Sequence, residues 1–344
     1  MKAAGHNPGN DFALLSLRCI RATITTICSR PCPRAASRRK RLTFRPLLQW
    51  GLPDFIRVNK TLTTRPTSIL ITGCSSGIGY HVAHALKARG YRVFATARKA
   101  DDVVRLHAEG LESLPLDLTD SASIQNAVAD ILASTGGTLD ALFNNGGYGQ
   151  PGAVEDLSRD MLRAQFETNV FGTIELTNAV IPVMRRQGHG RIAQNSSVLG
   201  FAALPFRGAY TASKYALEGF YDTLRLELTG TGIQVSLIEP GPIESRFRAN
   251  AHAVFQRTID VERSAFRETY RAMERRLTKV GPAVPFTLGP EAVLEKLLHA
   301  LESPCAQPRY YVTFPTYLFG SLKRLLSTRG LDWVLRRVSR SENR

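Results

Sequence analysis

The sequence predicts an α/β fold: one doubly wound domain, with a parallel sheet of seven strands covered by helices on both faces. Three observations predict it. From residue 67 onward, short β-branched runs alternate with helical stretches, and such alternation belongs to parallel sheets wound right-handed. The first run breaks into three glycines and becomes helical, in "SILITGCSSGIGYHVAHAL" over 68–86. The chain also has ordinary globular composition, with 43% apolar residues in 344, enough for a full core.

Strands are expected at 68–72, 91–96, 111–116, 139–143, 190–195, 233–238 and 309–313. Between them, helices are expected near 78–89, 101–109, 121–134, 158–187, 209–229 and 290–302. The first helix follows the glycines directly. Asp101 and Asp102 stand where they cap the second. The polar stretch 242–288 breaks the rhythm after the sixth strand, where an open sheet places a lid over its carboxyl edge. Within it, "RSAFRETYRAMERR" (263–276) holds too few apolar residues for a core helix, so a mobile cover that orders with substrate is expected. The domains are then a basic extension 1–65, a catalytic domain 66–315 and a basic tail 316–344.

Charge is unevenly spread. Residues 1–65 hold thirteen Lys and Arg against two acids, which is +11 of the formal +16. The folded part is only mildly basic, and a nucleic-acid partner loses its support. The front segment, rich in Arg, Ser and Thr, suits a transit peptide, a disordered extension or a coding start placed too far upstream. The expected location is cytoplasmic, with organellar import or peripheral membrane attachment as alternatives. No apolar run approaches the length of a membrane span, because Arg18 and Arg21 interrupt the only candidate. Cys19, Cys28, Cys32, Cys74 and Cys305 are odd in number and scattered, which fits neither a disulfide framework nor a metal cluster. His81 and His84 share a helix face without a third ligand near in sequence, so no metal is expected. In the tail, Leu318, Phe319, Leu322, Leu325 and Leu326 make an amphipathic stripe among Lys323, Arg324 and Arg329. Such a stripe packs on its own domain or a partner subunit, or lies on a membrane surface; packing is the expectation.

A strand–glycine–helix unit offers free N–H groups and a positive dipole end to a phosphate. Carbonyl reduction further requires a proton donor and polar groups that stabilise developing charge. Tyr210 is the candidate acid. Its ordinary pKa of about 10 is high for proton transfer near neutrality. Lys214 lies one helical turn on, where an ammonium favours the phenolate. Ser197, thirteen residues before Tyr210 at the end of the fifth strand, could bond a substrate oxygen there. At the end of the second strand, "VFATARKADD" has a neutral residue where an acid would hold an NAD ribose, with Arg98 and Lys99 following, which favours NADP(H) over NAD.

"TGCSSGIG", "NNGG" (144–147), "NVFGT" (169–173), "NSSVLG" (195–200), "YTASK" (210–214) and "EPGPIESRF" (239–247) stand in the order found in the short-chain dehydrogenase/reductase family. The chain resembles that family over roughly 67–315, with Gly147 where the family has Ala. It is similar above all to the branch of 17β-hydroxysteroid dehydrogenase type 1, retinol dehydrogenases and bacterial NADP-dependent aldehyde reductases. The resemblance implies a Rossmann-type fold and a catalytic set of Ser197, Tyr210, Lys214 and Asn169, the last holding a water that relays protons to Lys214. It assigns cofactor binding to Gly73, Ser75, Ser76, Gly77, Ile78, Gly79, Pro240, Gly241 and Ser245, with Tyr210 and Lys214 beside the nicotinamide. Arg98 and Ser76 then serve the 2′-phosphate, Asp117 the adenine amine, and Asn144 the sheet near the adenine ribose. Tyr148, Leu199, Phe201, Phe206 and Phe247 would surround a small apolar carbonyl or alcohol substrate, such as an aldehyde, retinoid or steroid. A homo-oligomer is also implied. A non-catalytic NADP-binding sensor is the alternative; it would have no need of an intact Ser197–Tyr210–Lys214 set.

Overall fold

The structure is a computed structural model and describes residues 67–279, 281 and 284–342. The readings of residues 1–65 lie outside the described residues. Seven strands are present: β1 (Ser68–Ile71), β2 (Arg92–Ala97), β3 (Glu112–Pro115), β4 (Ala141–Asn144), β5 (Gly190–Asn195), β6 (Ile233–Glu239) and β7 (Arg309–Tyr311). They form one sheet in the order β3-β2-β1-β4-β5-β6-β7, and every pairing is parallel. The winding direction reverses between β1 and β4, which opens a crevice at their carboxyl ends.

Period-two alternation sends successive β1 residues to opposite faces. Leu70 joins the face covered by α3 (Ser121–Thr135), α5 (Gly172–Gln187) and α6 (Gly208–Glu227), which contribute Ile124, Leu176 and Leu217. Ile69 and Ile71 face α1 (Gly77–Ala88), α2 (Ala100–Ala108) and α9 (Glu291–Glu302), packing with Val82, Leu106 and Val293. Both faces are apolar because both are covered. Asp120 caps α3 by accepting from the Ala122 N–H at 2.9 Å, and Gly136, at φ +69°, closes its other end.

Three expectations are revised. The single helix over 158–187 is divided into α4 (Arg159–Phe166), a π turn (Glu167–Phe171) and α5. A Cβ on Gly172 would lie 1.7 Å from the Leu118 carbonyl oxygen, so the start of α5 runs directly against the loop after β3. The second revision concerns the lid. It contains α7 (Phe247–Thr258) and α8 (Arg267–Thr278), and "RSAFRETYRAMERR" does build a helix with a buried side. Tyr270, Met273 and Leu277, at i, i+3 and i+7, pack with Phe255, Ile259, Leu157 and Ala209. Three apolar residues suffice because the Tyr270 hydroxyl is satisfied inside: it donates to Asp156 Oδ2 and accepts from the Ala153 N–H at 2.7 Å.

Third, the tail forms α10 (Phe314–Leu325) and α11 (Thr328–Glu342), and its expected stripe is split. Phe319 and Leu322 turn inward with Leu335 onto Phe201 and Ala202, so the tail does pack on its own domain. Leu318, Leu325 and Leu326 are exposed. Among the described residues, no helix is long and apolar enough to cross a membrane, and no group of metal-binding side chains assembles. His84 instead pairs with Glu109 at 2.9 Å.

Candidate active site

The cleft at the reversal point begins with the loop between β1 and α1. Ser76 occupies the N-cap of α1 in extended conformation without a side-chain cap bond, which leaves the first N–H groups of the helix turned to the cleft. Gly73 and Gly77 adopt φ +72° and +60°, conformations that side chains resist. A Cβ on Gly79 would lie 2.4 Å from the Gly73 carbonyl oxygen, and one on Gly77 would lie 2.9 Å from Ser245 Cβ. The loop is thus a bare backbone cradle facing Ser245 from the segment after β6. A dinucleotide phosphate fits such a cradle.

Several supports of this loop were not foreseen. Thr72 Oγ1 accepts from the N–H groups of Asn145 and Gly146 at 2.9 and 2.8 Å, tying the end of β1 to the loop after β4. Arg105, from α2, donates to the Ser75 carbonyl at 2.8 Å. In sequence Arg105 reads as an ordinary helix-surface partner of Asp102 and Glu109, which it also is. Cys74 is buried and donates to the Ile71 carbonyl at 3.3 Å; burial pushes its thiol up to about 12, as expected of a packing residue.

Arg98 stands exposed immediately after β2, on the rim of the cleft. Asp117, half-buried after β3, accepts from the Thr119 N–H and hydroxyl at 2.9 and 2.8 Å. Asn144 turns its amide away from the cleft, donating to Thr177 Oγ1 and Tyr221 Oη at 2.8 Å each. It steadies the sheet against α5 and α6.

Ser197, Tyr210 and Lys214 meet at the carboxyl ends of β5 and β6. Ser197 caps a short 3-10 turn (Val198–Gly200), its Oγ accepting from the Leu199 N–H at 3.1 Å. Tyr210 and Lys214 occupy one face of α6. Burial pushes the Tyr210 phenol up to about 12, against a hydrogen bond with Ser197 and the Arg207 charge. Lys214 was expected to lower it. Instead the ammonium donates to the Asn195 carbonyl at 2.7 Å and lies over the phenol ring, 5.6 Å from its centroid. Burial draws the Lys214 ammonium down to about 8, with Glu218 opposing.

Asn169 lies in the π turn, buried beneath the cleft. Its amide donates to the Tyr148 carbonyl at 2.9 Å and to Ser213 Oγ at 3.2 Å, and its Oδ1 accepts from the Tyr148 N–H at 3.1 Å. Ser213 in turn donates to the Tyr210 carbonyl at 2.7 Å, so Asn169 is connected to the backbone of α6.

The expected apolar lining is dispersed. Phe247 does face Tyr210, with ring centroids 5.2 Å apart. Phe201 packs on Tyr311 and the tail, and Phe206 on Phe266 and Tyr270 in the lid core. Both are recruited by partners distant in sequence, which local pattern does not register.

The model of the short chain dehydrogenase family matches residues 67–254. An uncharacterized oxidoreductase, YbbO of Escherichia coli, is 42% identical over 268 residues, 78% of this chain and 93% of its own. Human 17-beta-hydroxysteroid dehydrogenase type 1 is 35% identical over 260 residues, 72% of this chain and 77% of its own. Among solved structures, actinorhodin polyketide ketoreductase with NADPH is similar at 28% identity and a TM-score of 0.59, covering 72% of this chain and 95% of that one. The chain is an oxidoreductase of the short-chain dehydrogenase/reductase family.

Proposed function

We propose that the chain is an NADP(H)-dependent reductase or dehydrogenase acting on the carbonyl or alcohol of an apolar substrate. The convergence of Ser197, Tyr210 and Lys214 beside a bare phosphate cradle carries this reading. A nicotinamide dinucleotide in the cleft supplies or accepts the hydride. In the reductive direction, Ser197 Oγ and the Tyr210 hydroxyl hold the substrate oxygen, and the Tyr210 hydroxyl gives its proton to that oxygen as the carbonyl π bond breaks. The buried phenol is fully protonated near neutrality, ready for that transfer. Lys214 provides the nearby positive charge that the resulting phenolate needs. Asn169, through Ser213 and Tyr148, fixes the backbone on which this geometry rests.

Arg98 supports the preference for NADP(H), since a cation on the β2 rim complements a 2′-phosphate. Phe247 beside Tyr210 favours an apolar substrate over a sugar. The proposal is tested with a panel of aldehydes, retinoids, steroid ketones and sugars, following NADPH absorbance. Turnover of apolar carbonyls is expected, with NADPH preferred to NADH. NADPH binding without turnover of any member would favour a non-catalytic sensor instead.

A further inference from the structure

A third polar residue lies on the Tyr210 face of α6. Glu218 follows Lys214 by four residues, one helical turn on, and is buried. Its Oε1 accepts from the hydroxyl of Ser196, the residue before Ser197. The Ser196 N–H donates to the Ile238 carbonyl of β6 at 2.7 Å. Glu218 Oε2 takes Nη1 of Arg309 from β7, the same Nη1 reaches Oε1 of Glu239, and Nη2 binds Asp222. Glu239 ends β6 at 0% exposure, and its Oε2 has no hydrogen-bond partner among the described residues. Gly200, in the turn that Ser197 caps, yields its space to this cluster: a Cβ there would lie 2.7 Å from Ser196 Oγ and 2.8 Å from Glu218 Oε1.

Three carboxyl groups therefore share one guanidinium, one turn from Lys214. Glu218 and Glu239 are the buried pair, and buried like charges this close do not both ionise. The surplus proton belongs on Glu239, which burial first and then the Glu218 charge push well above the ordinary carboxylate range, against Arg309. Asp222 also takes Nη2 of Arg225 at 2.9 Å, Arg324 lies beside Tyr311, and the remaining groups facing the cluster are Ser196 and the phenols of Tyr215 and Tyr311, which burial keeps neutral. The negative charge one turn from Lys214 is then that of Glu218, and it works against the burial that draws the ammonium down to about 8.

We propose that Glu218, clamped by Arg309 against Glu239, is a positioning residue that holds the Ser196–Ser197 turn and keeps Lys214 cationic at neutral pH. The proposal rests on the Ser197–Tyr210–Lys214 reading for its consequence in catalysis, but the coupling between Glu218 and Lys214 is measurable without turnover. The full chain with NADPH, labelled at lysine with carbon-13, would be titrated by NMR alongside the pH profile of kcat/KM. In Glu218→Gln, which keeps the shape and loses the charge, the Lys214 midpoint and the alkaline limb of the profile should fall together by about one unit or more. Glu239→Gln removes a group that faces Arg309 and Glu218 and not Lys214, so any fall of the midpoint and the limb there should be clearly smaller than in Glu218→Gln. Ser196→Ala keeps the charge and loses the bond, so kcat should fall with the limb unmoved. An unmoved Lys214 midpoint in folded Glu218→Gln, or an equal fall in Glu239→Gln, would overturn the proposal. Should Glu218→Gln fail to fold, Ser196→Ala decides, and a wild-type kcat there overturns it. A shifted Lys214 midpoint with no turnover in any variant would sink the catalytic reading and leave the coupling standing.

Discussion

The two sides of the cleft are built in different ways. On the β1–β4 side the cradle itself is short-range geometry: glycines in positive φ and an uncapped helix end lie within a few residues of a strand end, with the Thr72 bonds to the loop after β4 as the long-range tie. On the β5–β7 side, the lid anchor, the carboxyl cluster and the aromatic packing depend on residues far apart in sequence. The Tyr270 hydroxyl reaches Asp156 across 114 residues, Arg309 reaches Glu218 across 91, and Phe319 covers Phe201. A phosphate-binding cradle needs only a local backbone motif. Long-range packing lets single residues change without disturbing the sheet.

This contrast yields a graded set of outcomes. The largest effect should come from Tyr210→Phe, which removes the proposed proton donor and should cut kcat by about 10²–10⁴-fold with NADPH affinity retained. Fluorescence titration with NADPH and steady-state assay on the same sample check it, and near wild-type turnover would remove Tyr210 from the mechanism. Arg98→Asp belongs to the other side and should act on the cofactor alone. Loss of a charged hydrogen-bond partner and gain of repulsion should weaken NADPH by roughly ten- to a hundredfold and shift preference toward NADH. An unchanged NADPH Kd would end the assignment of Arg98 to the 2′-phosphate.

Tyr270→Phe tests whether the lid is anchored by its buried hydroxyl. Losing that group leaves the Ala153 N–H and Asp156 short of a partner and should cost about 1–3 kcal/mol of stability. KM for substrate should rise a few-fold while NADPH affinity stays constant; equal changes in both would merge the two sides of the cleft. The smallest effect on turnover is expected from removing residues 318–344. This uncovers Phe201 and Ala202, so the melting temperature should fall by several degrees, with activity on soluble aldehydes largely kept. Flotation of the intact chain with anionic vesicles, lost on truncation without any change in melting, would instead make the tail a membrane contact.

How much of the site was legible follows the same division. Tyr210 and Lys214 share a helix face by spacing alone, and the bare cradle at Gly73–Gly79 follows from its position between a strand and a helix. Arg105 and Glu218 were not visible, because each resembles a surface charge on an amphipathic helix until the fold supplies its partner. The neutral Tyr210 phenol, with the Lys214 ammonium on Asn195, was equally hidden; burial depth and hydrogen-bond geometry are tertiary quantities.

By itself the sequence determined the parallel alternation of strands and helices, the strand that each motif ends, and the order in which the motifs reach the cleft. These depend on periodicity and backbone sterics, which act over a few residues. Only the tertiary structure decided which apolar residues face Tyr210, that α8 has a buried side, that the tail stripe divides between inside and outside, and that one guanidinium gathers three carboxyl groups behind Ser196. Each of those depends on which distant surfaces meet, and no local pattern carries that information.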